Sequence, residues 1–418
     1  MKGFAFRLTE ETREVIFDKD FAEAYKNSET DFTRKRRMGF IGIMALSLNF
    51  LRKSLQLEID NYMELLDPEI EKPITKQAFS KARQKIDWGA FEYLFEMTGE
   101  KAIEADVFGR YKGYRVFAID GTELYLPLSK EIVDDYKLYR RTHIPHGRAS
   151  VLCDVMTGYS IHAAITPLAV GERKLALEHL DYFSDLKGKK DIILFDRGYV
   201  SYELIKRLID DGCKYVMRMK TRFNKEIDNT NKDDFFITLD INREAYKIRV
   251  IKLVLENGET EVLITNLSRT AFKHTDFAEL YHLRWGIETK FNTLKNKLDI
   301  ESFSGKTINT VLQDFYATLY LSNIVAAIKS ESDEIIKENN ASKNLKYNYV
   351  TNENLLIGKL KDNLVLLLLN DNPDFRSQLL DKLIERVSHF RTEIKPNRHF
   401  ERRDASHKKV RCKIKKVL

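Results

Sequence analysis

Two short apolar runs, Arg115-Val-Phe-Ala-Ile119 and Asp191-Ile-Ile-Leu-Phe195, each lead into an aspartate: Asp120-Gly-Thr122 after the first, Asp196-Arg-Gly-Tyr199 after the second. A run of about five residues with little polar alternation reads as a strand buried on both faces, and the glycine beyond it marks a turn. Each aspartate is therefore expected where a buried strand meets a turn. Asp before Gly is a common turn former, so either residue alone implies no chemistry. Between the runs, Ala149 to Val155 and Tyr159 to Thr166 flank Met156-Thr-Gly158 and read as a hairpin, followed by a helix from about Glu172 to Phe183. After the second run come a helix from about Tyr202 and a fifth strand near Tyr215 to Met219. The order strand, strand, strand, helix, strand, helix, strand specifies an α/β domain.

A third carboxylate comes from a later helix. At about 100° per residue, Tyr281, Arg284, Glu288 and Lys295 fall within roughly a 60° arc of one face. Phe277, Leu280, Leu283, Ile287, Phe291, Leu294 and Leu298 fill the neighbouring arc and predict a single helix pinned to a core. Its rim is expected to present a carboxylate flanked by two cations and a phenol. Arg284 and Glu288, four residues apart, form by themselves an ordinary surface ion pair. Together with two strand-borne aspartates, however, Glu288 completes a set of oxygen donors able to hold two divalent cations for in-line phosphoryl transfer. No glycine-rich phosphate loop or Cys/His cluster competes with that assignment.

The chain has 418 residues, 43% hydrophobic and 32% charged, enough for two or three domains with a sizeable core. Its net charge of +7 favours a polyanionic partner without requiring one. Cys153, Cys213 and Cys412 make neither a metal-ligand spacing nor a paired disulfide framework, which fits a reducing cytoplasm. The longest apolar run, Met38 to Leu51, falls short of the roughly 20 residues that span a bilayer and is interrupted by Ser47 and Asn49, so no membrane segment is expected.

Residues 1–108 read as helical. Arg34-Lys-Arg-Arg37 leads into the Met38 run, and Ile74, Ala78, Phe79, Ala82 and Ile86 recur at helical spacing after Pro73, with Thr75 as N-cap. The exposed face of that helix is expected to carry Lys76, Gln77, Ser80, Lys81, Arg83 and Gln84. These residue types serve equally a solvated surface or a recognition helix on DNA. In residues 220–270, Phe235 to Leu239, Tyr246 to Leu255 and Glu261 to Asn266 read as strands. Lys329 to about Asn352 is polar and reads as an exposed connection, with helices following near Glu353 to Asn370 and Asp374 to Phe390. The basic end, from Lys395 to Lys416, is either a solvated tail or an arm that tracks a DNA backbone.

The strand order matches a ribonuclease H-like fold, and Tyr281, Arg284, Glu288 and Lys295 have the spacing Tyr-x2-Arg-x3-Glu-x6-Lys. With Asp120-Gly-Thr122 and Asp196-Arg-Gly-Tyr199, this resembles the DDE transposases of bacterial insertion sequences, in the subgroup defined by that signature (insertion-sequence family four). The likeness covers about residues 114 to 328, including Gly171-Glu-Arg173 and a helical run from Phe303 to Ile328. It implies a helical DNA-binding region at 1–108, a ribonuclease H-like catalytic domain at 109–328 with a β-rich insertion at about 220–270, and a C-terminal region at 329–418. It also implies that Asp120, Asp196 and Glu288 are catalytic and bind Mg²⁺, with Mn²⁺ able to substitute. Tyr281, Arg284 and Lys295 would contact DNA, and Lys76, Gln77 and Lys81 are the candidates in the N-terminal helix. The implied partners are double-stranded DNA, as terminal inverted repeats and target, and a second copy in a synaptic complex. Relatives that cut through a DNA hairpin stack a flipped base on a tryptophan of the insertion. The tryptophans here are Trp88 and Trp285, so Phe235, Phe236 or Tyr246 would have to take that part. The implied activity is cleavage and joining of DNA. A nuclease of the same fold that cuts without joining, or a domesticated DNA-binding protein, is the alternative.

Overall fold

The computed structural model describes residues 3–34, 37–49, 54–66, 74–220, 223–255 and 258–395. It divides into two compact units, one of Ala102–Leu124 and Gly147–Asn292, the other of Met1–Lys101, Tyr125–His146 and Thr293–Leu418.

The first unit is built on a mixed sheet of eight strands: β1 (Arg115–Tyr125), β2 (His146–Asp154), β3 (Ser160–Pro167), β4 (Asp191–Phe195), β5 (Lys214–Arg218), β6 (Asp234–Ile241), β7 (Glu244–Val254) and β8 (Thr260–Thr265). Their order is β3-β2-β1-β4-β5-β8-β7-β6. β1 pairs with β4, and β4 with β5, in parallel, while β2 and β3 form the expected antiparallel hairpin. The apolar runs read correctly: all five residues of β4 and the first five of β1 are buried. Arg115 and Asp191 lock the start of this pair, with Nε to Oδ1 at 2.7 Å and Nη2 to Oδ2 at 2.6 Å. The helix Glu172–Phe183 packs on β3, and the helix Tyr202–Asp210, capped by the Ser201 hydroxyl, packs on β5 and β6. Cys153 and Cys213 are buried free thiols.

The strands expected in residues 220–270 are present as β6, β7 and β8, and they extend the central sheet, β8 pairing antiparallel with β5. β6 alternates buried and exposed residues, as a strand with one covered face does. Arg249, fully buried, ties this region together with two bonds to Asp234, at 2.9 and 2.7 Å, and one to the Phe272 carbonyl at 2.8 Å. One expectation fails here. Asp120-Gly121-Thr122 is not a turn, because β1 continues to Tyr125. A glycine followed by a β-branched residue is also compatible with an extended chain, and here Gly121 has no positive φ.

The second unit is mainly helical. The Met38 run forms the buried helix Phe40–Leu48, and the helix Lys76–Arg83 begins at the Thr75 cap, whose hydroxyl accepts from the Ala78 amide at 3.2 Å. The long helix Ile308–Asn340 starts with a capping box between Thr307 and Thr310. It is long and apolar enough to cross a membrane by length and composition, but its apolar window lies mostly buried inside the protein. The expected exposed connection from Lys329 is wrong. The helix runs on to Asn340, since Ser332 and Ile336 are buried and continue its inner face. The chain then pairs β9 (Asn348–Thr351) with β10 (Arg391–Ile394). Thr351 bonds Asp333 and Ser332, which ties β9 to the long helix. The helices Glu353–Leu369 and Pro373–Ser388 lie where expected. Part of the basic run Arg34 to Arg37, and the basic tail beyond Lys395, lie outside the described residues.

Candidate active site

Pairing of β1 with β4 ends at Ile119↔Phe195, so Asp120 and Asp196 are each the next residue along neighbouring parallel strands. Asp120 Oδ1 accepts from the Gly121 amide at 2.9 Å. Its carbonyl accepts from the Ser150 hydroxyl at 3.4 Å, and that hydroxyl pairs with His179 Nε2 at 2.8 Å. Burial pushes the Asp120 carboxyl up to about 6. The Gly121 amide and Arg284 oppose that rise, and the charges of Asp196 and Glu172 add to it.

Tyr281 ends the helix Asp276–His282 and donates its hydroxyl to the Phe195 carbonyl at 3.3 Å, immediately before Asp196. It is therefore buried rather than on a rim, and burial holds its phenol well above the usual range. The single helix expected from Phe277 to Leu298 is also not found. The amides of Arg284, Gly286 and Ile287 reach back three residues, making a tight turn before a second helix, Trp285–Asn292. A Cβ at Gly286 would lie 2.2 Å from the Val155 carbonyl oxygen, so only glycine lets this second helix come so close to the end of β2. Lys290 pins the other end, donating to the Gly158 carbonyl at 2.6 Å. Glu288 rides in the first turn of this anchored helix.

Arg284 stands at the centre. Its Nη2 donates to Glu288 Oε1 at 2.8 Å, and its Nη1 lies 3.6 Å from Asp120 Oδ2. The guanidinium lies 5.8 Å from the centre of the Tyr281 ring, and Nε is buried without a hydrogen-bond partner. Burial disfavours its charge, but Tyr281, Glu288, Asp196 and Asp120 outweigh that cost and raise its pKa. Two of the three carboxylates thus meet at one cation, and the third adds to its field.

Two further carboxylates border the site, and neither was singled out from the sequence. A Cβ at Gly121 would lie 3.6 Å from Glu172 Oε1, and one at Gly198 would lie 3.4 Å from Glu172 Oε2, so this side chain sits against both aspartate segments. Its only signal in the sequence is Gly171-Glu-Arg173 at the start of a helix. Glu261 on β8 pairs with Arg218 at 3.0 Å. Burial raises its carboxyl, Arg218 and Arg284 lower it, and Asp196 adds to the rise. A cavity of about 520 Å³ opens here, lined by Arg197, Arg218, Lys220, Phe223 and Glu261 among others.

The remaining candidates are scattered. Lys295 lies on a π-helical turn, Thr293–Lys297, and belongs to the other compact unit. The 3.6-residue repeat that aligned it with Glu288 does not carry through that turn. Gln77 and Lys81 are exposed and Lys76 is half-buried. Arg83, expected on the same exposed face, is buried and paired with Asp314 at 2.8 Å, and half-buried Gln84 bonds Thr307 at 2.9 Å. Phe235 and Tyr246 are buried, whereas Phe236 is exposed between the cations of Lys247, 4.7 Å away, and Arg269, 5.0 Å away.

The donor set of Asp120, Asp196 and Glu288 is all carboxylate oxygen, which suits a hard divalent cation. Among the described residues, no three His, Cys, Asp or Glu side chains stand close enough together to hold a metal ion as they are. The guanidinium of Arg284 lies between two of the donors instead.

The chain is similar to the probable transposase for insertion sequence element IS5377 of Geobacillus stearothermophilus, at 23% identity over 144 residues. That match covers 32% of this chain and spans 38% of the relative's length. A cryo-EM structure of the piggyBac transposase synaptic complex with hairpin DNA aligns with a TM-score of 0.48 and 12% identity, over 90% of this chain and 84% of that one. A family model, the transposase DDE domain, matches residues 111–324, more than half of the chain and all of the segment that carries Asp120, Asp196, Tyr281, Arg284 and Glu288, and the protein belongs to that family.

Proposed function

We propose that the protein is a DNA transposase that cleaves the ends of an insertion sequence and joins them to target DNA by metal-dependent phosphoryl transfer. The observation that carries this reading is a pair of aspartates that follow two adjacent parallel strands, one of which, Asp120, meets Glu288 of an anchored helix at one half-buried cation, Arg284. Its core is of the ribonuclease H-like type, and its signature assigns it to the Tyr-x2-Arg-x3-Glu-x6-Lys subgroup.

Asp120, Asp196 and Glu288 would hold the divalent ions, Mg²⁺ with Mn²⁺ able to substitute. Bound ions would activate the attacking oxygen and neutralise charge on the scissile phosphate. The chain's own part is positioning. Tyr281 holds the end of β4 where Asp196 begins, and Gly286 and Lys290 fix the helix that carries Glu288. Arg197, Arg218 and Lys220 give the neighbouring cavity a basic lining suited to a DNA backbone. The helical region at 1–108, with Lys76, Gln77 and Lys81, is assigned to recognition of terminal inverted repeats. Lys295 is assigned to a phosphate contact, and Phe236 is the exposed aromatic of the extension able to stack on a base. The working form is a homodimer in a synaptic complex in the cytoplasm.

The DNA flanking the coding sequence supplies the substrate, a duplex ending in the inverted repeat. Asp120→Ala, Asp196→Ala and Glu288→Ala are each expected to lose Mg²⁺-dependent nicking of it by 100-fold or more, roughly the scale set by losing charge stabilisation at a reacting phosphate, while still binding the duplex in a mobility-shift assay. Full nicking by any one variant removes that residue from the site, and full activity in EDTA refutes the mechanism.

A further inference from the structure

Arg284 stands between two of the three acidic groups. Its two terminal nitrogens are turned toward different carboxylates, Glu288 at 2.8 Å and Asp120 at 3.6 Å, and Tyr281 lies against it. Asp196 and Glu261 add their charges to the same neighbourhood. Clustered like charges repel unless a cation sits among them, so these half-buried acids depend on the guanidinium. Asp120 and Glu288 would hold a divalent ion only in competition with Arg284 for the same carboxylates.

We propose that Arg284 is a resident cation that keeps the carboxylates closed to free metal ions, and that a DNA phosphodiester draws it away so that metal and DNA enter the site together. The exchange is chemically matched. A planar guanidinium pairs bidentately with phosphate as well as with carboxylate, so leaving the acids costs Arg284 little once a phosphodiester is beside it. Leaving them for water would strand an acidic cluster. This gives Arg284 a positioning role before and after DNA arrives: it balances the acidic groups, then holds the substrate backbone. The proposal rests on the assignment of Asp120, Asp196 and Glu288 as metal ligands.

The test is Mn²⁺ binding by the full chain, read by electron paramagnetic resonance of the free ion, with and without the terminal-repeat duplex and with duplex alone as the blank. Wild type is expected to bind weakly alone and about tenfold or more tightly with duplex, the scale of one charge-assisted contact. Arg284→Gln should bind Mn²⁺ about tenfold more tightly than wild type without DNA and should lose most of the response to duplex, by the same principle. Arg284→Lys keeps the charge but cannot span both acids, and should fall between the two. Arg207→Gln removes an equal charge from a pair outside the site, with Asp181 and Asp211 at 2.6 Å each, and should leave the response to duplex intact. If Arg284→Gln binds no more tightly than wild type, or Arg207→Gln reproduces its effect, the resident-cation proposal is wrong while the metal assignment stands. If Asp196→Asn binds Mn²⁺ as well as wild type in the presence of duplex, the metal assignment itself fails and takes this proposal with it.

Discussion

Asp120 illustrates what a single residue contributes to such a site. It is the residue after a wholly buried run, and burial lifts its carboxyl to about 6 despite Arg284 nearby. An unfolded aspartate titrates near 3.9, so the folded protein prefers the protonated form. That preference stabilises the fold fully below about pH 4 and is lost as pH rises through about 6. Asparagine has no such charge to bury. Asp120→Asn in EDTA is therefore expected to match wild type near pH 4 and to be about 1 to 3 kcal/mol more stable at pH 7, as measured by urea unfolding. An asparagine variant that is less stable at pH 7 than at pH 4, relative to wild type, would show that Arg284 rather than burial governs this carboxyl. The residues themselves were legible where chemistry and spacing coincide, as in Asp120, Asp196 and the Arg284–Glu288 pair. Burial of Tyr281 and Arg83 was not legible, because an amphipathic side chain fits a rim or an interior, and only its partner, the Phe195 carbonyl or Asp314, decides which.

At the scale of elements, periodicity located the helix Glu172–Phe183, the hairpin of β2 and β3, and the strands β4 to β8 with small errors at the ends. It failed where a third party sets the outcome. The stretch from Phe277 to Leu298 has one unbroken apolar stripe, yet it breaks at Leu283 and Arg284 and ends in a π turn. The second of these helices approaches Val155 closely, which no local pattern encodes, although Gly286 in the middle of a helical run was its one visible trace. Local pattern also fails at β1, which continues past Gly121 to Tyr125, and at the long helix, which core contacts carry past Lys329. Gly286→Ala tests the geometry. The added methyl meets a backbone oxygen that cannot rotate away, so the helix bearing Glu288 must shift, at a cost of about 1 to 3 kcal/mol. Nicking should fall at least tenfold, the order expected when a catalytic group is misplaced by a fraction of an ångström to 1 Å, with circular dichroism unchanged. Wild-type nicking by Gly286→Ala would mean that the position of this helix is not critical.

For the whole molecule, the fold class follows from parallel strands that are apolar throughout, which need cover on both faces, and from antiparallel strands such as β6 that alternate. Joining distinguishes a transposase from a nuclease of the same fold, because only a joining enzyme keeps the cleaved end and uses its 3′-hydroxyl as the next nucleophile. The direct measurement is a gel assay with end-labelled terminal-repeat duplex, unlabelled target DNA and Mg²⁺, which follows nicked and joined products together. The expected result is nicked end appearing first and label then moving into target-length DNA, with both products absent for Asp196→Ala. Efficient nicking with no label in the target would contradict the assignment and leave a nuclease that cuts without joining.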